Sequence, residues 1–330
     1  MKMSVLSLTN CDYMVIHECS IVLAALSQVT SDIFFSLARD GNVPNAVFQT
    51  SSRNVSETFP LEVTMDWWSE FYWIMIDFWS HAWLIYAVVS LFKRNVPGPG
   101  FPNHEIHPPV FYLIWTIINI VRICSMSLWD SHDFLGVVFL RWILPVLSFF
   151  MLFMSYSNLD THKSWLAINN PSVIPWTRYL TQNGLAMFAW WSLLDAVVGL
   201  GIVFKYKHAM SDPPVSTGVL TMISLCAITW FILENSLFTK YLRHTFSVYP
   251  LLVLSLGAMF TRSYRVHDIS ANTIYCGFLM LLMTVMSLVH LISSCLYTNK
   301  SINPAAPELC VKSEACVTVC KLEGTMKQEV

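Results

Sequence analysis

Long apolar runs, each about twenty positions and separated by short polar stretches, organise most of this chain. The runs are continuous rather than alternating, so they predict helices buried in an apolar medium rather than half-buried strands. A helix rising 1.5 Å per residue needs roughly 20 residues to cross a bilayer core about 30 Å thick. Seven segments meet that need: 71–92, 109–129, 135–156, 183–204, 215–238, about 244–261 and 272–297. The sixth is the weakest, because its strictly apolar part is the 16 residues from Phe246 to Thr261 and Pro250 interrupts its start. A proline is tolerated there only near a helix end or where neighbouring helices satisfy the freed carbonyl. The predicted fold is therefore all-α, a polytopic transmembrane helix bundle of seven spans, with six as the alternative.

The linkers agree with this division. KRNVPGPGFPNHEIHP (93–108) is too rich in Pro and Gly to stay helical, DSHD (130–133) reads as a tight polar turn, and NNPSVIP within 157–182 reads as a surface loop. Residues 1–66 differ in composition. They hold Ser, Thr, Asn and Asp around one apolar stretch, IVLAAL (21–26), which is too short to span. This predicts an extramembrane N-terminal segment carrying a short surface helix, a helix bundle over 67–297, and a disordered tail over 298–330.

Composition narrows the class. Hydrophobic residues make up 55%, charged residues only 12%, and mean hydropathy is +0.53. A soluble domain carries about 25% charge. The chain is thus no disordered protein, no nucleic-acid binder and no ordinary soluble enzyme; its first partner is the lipid bilayer. Orientation follows from Lys and Arg near the span ends. Lys93, Arg94, Lys163, Arg178, Lys240 and Arg243 flank one face, and Lys205, Lys207, Arg262 and Arg265 the other. The glycosylation sequon Asn54-Val55-Ser56 lies upstream of the first span. Together these predict an N-terminus outside or in a lumen, in the plasma membrane or an endomembrane, with Asn54 glycosylated.

Ionisable residues within spans are costly and mark candidate sites. Here they include Asp77, His81, Arg122, Arg141 and Asp195. Counting along alternating spans puts Asp77, Arg122 and Arg141 about 9–11 Å below one face, and Asp195 about 13–14 Å. Two acids and two bases share one layer, with His81 four residues after Asp77 on the same helix side. One reading is a polar pocket for an ion, a proton or an amphipathic ligand. The other is a set of register-fixing pairs with no ligand. Glu234 sits near the opposite face and reads as interfacial. Some of the 13 Trp, Trp115 among them, offer an indole face and N–H to a flat apolar ligand. The chain shows no HExxH, phosphate loop or GxSxG, and HEIH (104–107) fits no zinc spacing, so no enzyme, metal or cofactor is predicted.

PPVFYLIWTIIN (108–119), with Pro108, Pro109, Phe111 and Trp115, resembles the second helix of the translocator protein/tryptophan-rich sensory protein group. YLTQNGLAMFAWWSLLDAVVGL (179–200) resembles a later helix of its larger eukaryotic relatives, and SVYPLLVLSLGA (247–258) the helix near their end. SLWD (127–130), YLTQNGLA (179–186) and WFILEN (230–235) are similar to stretches of a family of animal multi-pass membrane proteins. The resemblance implies a bundle that takes tetrapyrrole- or sterol-like ligands between its helices. The translocator group has five spans, so this chain adds one or two, and Asp195 is a departure from that pattern.

Two functions of different class fit these features. The first is a non-enzymatic protein that binds or transports a small apolar or amphipathic ligand within the bundle. The second is a seven-span receptor-like signalling protein, although SYSN (155–158) stands where a DRY-type triplet belongs and NPAA (303–306) lies in the tail. A purely structural membrane protein is the third reading.

Overall fold

The computed structural model of the chain describes residues 2–39, 48–49, 52–94, 106–267 and 269–302. These form helices with no strand among the described residues. In order they are α1 (Lys2–Arg39), α2 (Ser52–Thr58), α3 (Glu70–Arg94) after a 3-10 turn Trp67–Ser69, α4 (Pro109–Asp130) and α5 (Phe134–Asn169). There follow α6 (Val173–Trp176), a π-helical turn Thr177–Gln182, α7 (Asn183–Tyr206), α8 (Asp212–Ser236), α9 (Thr239–Leu242), α10 (Val248–His267) and α11 (Ala271–Ile302). The chain divides into two units, Met1–Leu288 and Val289–Val330; the described part of the second is the end of α11.

Seven helical stretches among the described residues are long and apolar enough to cross a membrane: Asp12–Ala38, Trp67–Phe92, Pro109–Asp130, Phe134–Asn169, Val173–Tyr206, Asp212–Ser236 and Ala271–Cys295. The chain is a multi-pass, all-α membrane protein. The seven differ from those expected in one exchange. The stretch 12–38 enters the set, and the segment at 244–261 leaves it because the end of α10 carries Arg262, Ser263 and Arg265.

The N-terminal segment is the largest departure from the sequence reading. In place of a short surface helix it forms one helix of 38 residues, packed along α4 and α3. Its inward stripe is His17, Ser20, Ile21, Ala24, Gln28, Ser31 and Ala38, following the i, i+3, i+4, i+7 pattern of one helical face. Val15, Ile16, Val22, Leu26, Val29 and Ile33 point outward and are exposed. A helix with polar groups inside and apolar groups outside is arranged for lipid, not water. The stretch Asp12–Ala38 is as apolar in composition as Trp67–Phe92, so the span is legible in the sequence; judging it by the uninterrupted run IVLAAL alone is what misses it.

One linker also differs. The helix α5 runs past the expected span to Asn169, where NNPSVIP begins with an exposed turn, and α6 with the π-turn then carries the chain into α7. Pro145 lies inside α5, which runs on past it. The turn at 130–133 forms as expected, with His132 at φ 58°. Residues 95–105 and 303–330 lie outside the described residues, and with them the first half of HEIH and nearly all of the expected disordered tail.

At the centre of the first unit is α7, buried on almost every side between α3, α5, α8 and α10. On its flank, α4 is held between α1 and α5. Among the described residues α3 and α4 make no close backbone approach. The space left between them positions the site.

Candidate functional site

A cavity of about 620 Å³ occupies that space. Its walls come from α1 (Asp32, Phe35), α3 (Trp73, Asp77, His81), α4 (Arg122, Trp129), α5 (Arg141) and α7 (Trp191, Asp195). Thr64, Met65 and Asp66 of the segment after α2, together with Arg262 of α10, line it at the end of the bundle where α3 begins. Five of the six residues singled out in the sequence, namely Asp77, His81, Arg122, Arg141 and Asp195, thus face one space.

The charged groups are arranged in pairs across helices. Arg122 donates from Nη2 to Asp77 Oδ1 at 2.9 Å, bridging the gap between α4 and α3, and from Nη1 to Asn119 Oδ1 at 3.3 Å. Its guanidinium lies over Phe35, Trp73 and Phe188, with ring centroids 4.6, 5.3 and 5.5 Å away. These faces carry partial negative charge and stabilise a cation taken out of water. Arg141 donates from Nη1 to Asp195 Oδ1 at 3.0 Å and lies 4.6 Å over Trp129. Each opposite charge offsets the desolvation of its partner, as burial in apolar surroundings demands.

His81 forms the third pair, with an acid that the sequence reading missed. Its Nε2 lies 3.0 Å from Asp32 Oδ2 of α1, and Gln28 donates to the other Asp32 oxygen at 2.9 Å. Asp32 went unnoticed because its helix was not recognised as a span. A fourth acid, Asp66, is buried and held by Arg265 through two bonds of 3.2 and 2.6 Å, and it also accepts from Trp67 N at 2.9 Å.

Trp115, the sixth sequence candidate, lies elsewhere. It is fully buried and does not line the cavity; Trp83 and Phe188 pack edge-on against it at 5.2 and 5.1 Å. It belongs to an aromatic layer between α3, α4 and α7. Glu234, expected at the interface, is 2% exposed and accepts the hydroxyl proton of Tyr249. It is not among the residues that line the cavity.

The segment that covers the end of the bundle is pinned by a second acid absent from the sequence reading. Buried Glu62 accepts from Ser263 at 3.2 Å, Ser270 at 2.5 Å and Asn272 at 2.7 Å, tying residues 59–66 to the α10–α11 junction. Its own N–H donates to Asp212 at the start of α8, whose carboxylate also takes Lys205 Nζ at 2.7 Å.

Chemically the cavity combines aromatic walls with many polar groups, six carboxylates, three arginines and His81 among its lining, a mixture able to hold a small amphipathic molecule. Among the described residues no group of three metal-ligating side chains occurs. Set against protein-family models, curated proteins and solved structures, the chain matches none.

Proposed function

We propose that this multi-pass membrane protein is a non-enzymatic binder or carrier of a small amphipathic ligand, held in the cavity between α3 and α4. One observation carries the reading: five ionisable residues from four helices converge on a space of about 620 Å³ walled by Phe35, Trp73, Trp129 and Trp191. A set of register-fixing pairs alone gives no reason for an open recess lined by aromatic side chains beside them. The volume falls within the range of about 300–1,000 Å³ typical of ligand sites. The resemblance of 108–119 to the translocator group supports the same class of ligand. The test is quenching of tryptophan fluorescence by brominated amphiphiles in nanodiscs. Saturable quenching, competed by the unbrominated analogue and reduced in Trp73→Phe/Trp191→Phe, supports the proposal. Quenching that rises linearly with concentration and ignores both substitutions overturns it.

The proposed orientation places the cavity mouth outside or in a lumen. The face bearing Lys93, Arg94, Lys163, Arg178, Lys240 and Arg243 is then cytoplasmic. Asn54 lies on exposed α2 at the opposite, cavity-mouth end, where glycosylation is expected. The first helix starts at the basic end: Nε2 of His17 meets the His107 carbonyl oxygen at 3.1 Å just before α4 begins, and Gln49, beyond the end of α1, donates to Asp130 at the end of α4. With α1 crossing, the proposed orientation puts the N-terminus on the cytoplasmic side, where the sequence reading, which left 1–66 out of the bundle, expected it outside. An N-terminal epitope accessible only after permeabilisation, with a glycosidase-sensitive band lost in Asn54→Gln, is the expected result. An epitope exposed on intact membranes contradicts it.

A further inference from the structure

Arg262 is the exception among the polar groups at the end of α10. Its neighbours are committed to the covering segment: Thr261 accepts from Trp68 Nε1 at 3.0 Å, Ser263 donates to Glu62, and Arg265 holds Asp66. Arg262 lines the cavity instead, its Nε is buried without a hydrogen-bond partner, and no carboxylate among the described residues lies within ion-pair distance of it. Inside the same cavity Arg122, 2% exposed, also keeps a buried Nε–H without a partner, although its terminal nitrogens are engaged. Buried donors left open are rare in native proteins and call for an occupant. The acids nearby are already used. Asp77, Asp195 and Asp32 face Arg122, Arg141 and His81, Asp66 faces Arg265, and Glu57 and Glu70 at the rim have interactions of their own.

What the cavity lacks is therefore an acceptor carrying negative charge near Arg262, with an apolar body alongside Trp73 and Trp191. We propose that the ligand is an amphipathic anion, a single acidic headgroup on an apolar body, with the headgroup at Arg262 and the body running inward past Arg122. A guanidinium suits a phosphate or carboxylate because its planar fork donates two parallel hydrogen bonds. The inference rests on the binding function proposed above and names its ligand class.

The test ranks headgroups on one chain length. Dodecyl phosphate, dodecyltrimethylammonium, dodecanol and inorganic phosphate are each titrated as competitors of the brominated probe, with the full chain in nanodiscs of zwitterionic lipid. Dodecyl phosphate is expected to compete at least tenfold more tightly than the other three. Arg262→Gln is expected to abolish that preference, and Arg262→Lys to keep most of it. A cationic or neutral headgroup that binds as well, or inorganic phosphate that matches its dodecyl ester, overturns the inference, as does a preference unchanged in Arg262→Gln. The ranking on the unaltered protein decides the matter if either variant fails to fold. Absence of saturable competition by any amphiphile removes the binding function itself, whereas saturable binding with the wrong ranking removes only the anion.

Discussion

Asp32 and His81 face each other at 3.0 Å across the boundary between α1 and α3, while the Nδ1 of His81 lies 2.8 Å from the carbonyl oxygen of Asp77. A carbonyl oxygen only accepts, so Nδ1 carries its hydrogen. The contact between Nε2 and the carboxylate is then a hydrogen bond only when one more proton lies between them. This pair ties the first helix to the third beside the cavity.

Removing one partner leaves the other without its bond inside the bundle. His81→Phe is expected to lower stability by about 0.5–1 kcal/mol, the range for a pair this exposed. Adding Asp32→Asn to it is expected to restore part of that loss, because the stranded carboxylate disappears. Thermal midpoints in detergent for the two single variants and the double variant measure the coupling. Strictly additive losses speak against the pair.

The Asp77–Arg122 bridge is more deeply placed, with side-chain exposures of 20% and 1%. Arg122→Gln alone is expected to cost about 3–5 kcal/mol, since it leaves a carboxylate uncompensated in apolar surroundings. The double variant Asp77→Asn/Arg122→Gln is expected to be more stable than Arg122→Gln alone. The same denaturation series checks this, and equal stability of the two contradicts the pairing.

The imidazole of His107, just before α4, has a depressed proton affinity. Burial, and secondarily the neighbouring His17, push its pKa from the usual 6.5 down to about 3. Its Nε2 lies 3.0 Å from Ser155 Oγ. Between about pH 6.5 and 3 the unfolded chain holds a proton on this residue that the folded chain does not, so stability falls as the pH drops through that window. Above pH 6.5 this residue adds no pH dependence. The expected observation is a melting temperature that declines below pH 6.5, with the slope reduced in His107→Gln. An unchanged slope in that variant assigns the acid sensitivity to other groups.

Two helical glycines give opposite expectations for the same change. A Cβ on Gly201 would lie 2.7 Å from Val219 Cγ2 and 3.0 Å from Leu61 Cδ2, so α7 meets α8 closely there. A Cβ on Gly218 meets nothing within 4 Å. Gly201→Ala is expected to destabilise by about 1–3 kcal/mol through overpacking. Gly218→Ala is expected to be neutral, or stabilising by up to about 1 kcal/mol through helix propensity. Melting temperatures of the two variants in the same detergent separate these cases.

The all-α membrane class was legible because continuous apolar runs leave no other home for so much apolar surface. Asp77, His81, Arg122, Arg141 and Asp195 were legible because a charge in such a run demands a reason. Asp32 was missed because the first helix was judged by its uninterrupted run IVLAAL, although the stretch Asp12–Ala38 is as apolar in composition as Trp67–Phe92. Glu62, Asp66 and Arg262 were hidden for a different cause. They lie at span ends, where charge is ordinary, and only the fold reveals that Glu62 and Asp66 are buried and that Arg262 faces a cavity. Trp115 misled because a tryptophan packed in an aromatic layer and one lining a pocket have the same spacing in sequence.

The most direct test of the cavity is water access to its wall. In a background with the native cysteines replaced, Val198→Cys lines the cavity, whereas Leu225→Cys lies 60% exposed on the outer face of α8. A charged thiosulfonate reacts only with thiolate, which forms in water and not in lipid. The expected result is rapid labelling of Val198→Cys, slowed by a bound amphiphile, with Leu225→Cys unreactive. Labelling of Val198→Cys no faster than of Leu225→Cys contradicts an accessible ligand cavity between α3 and α4.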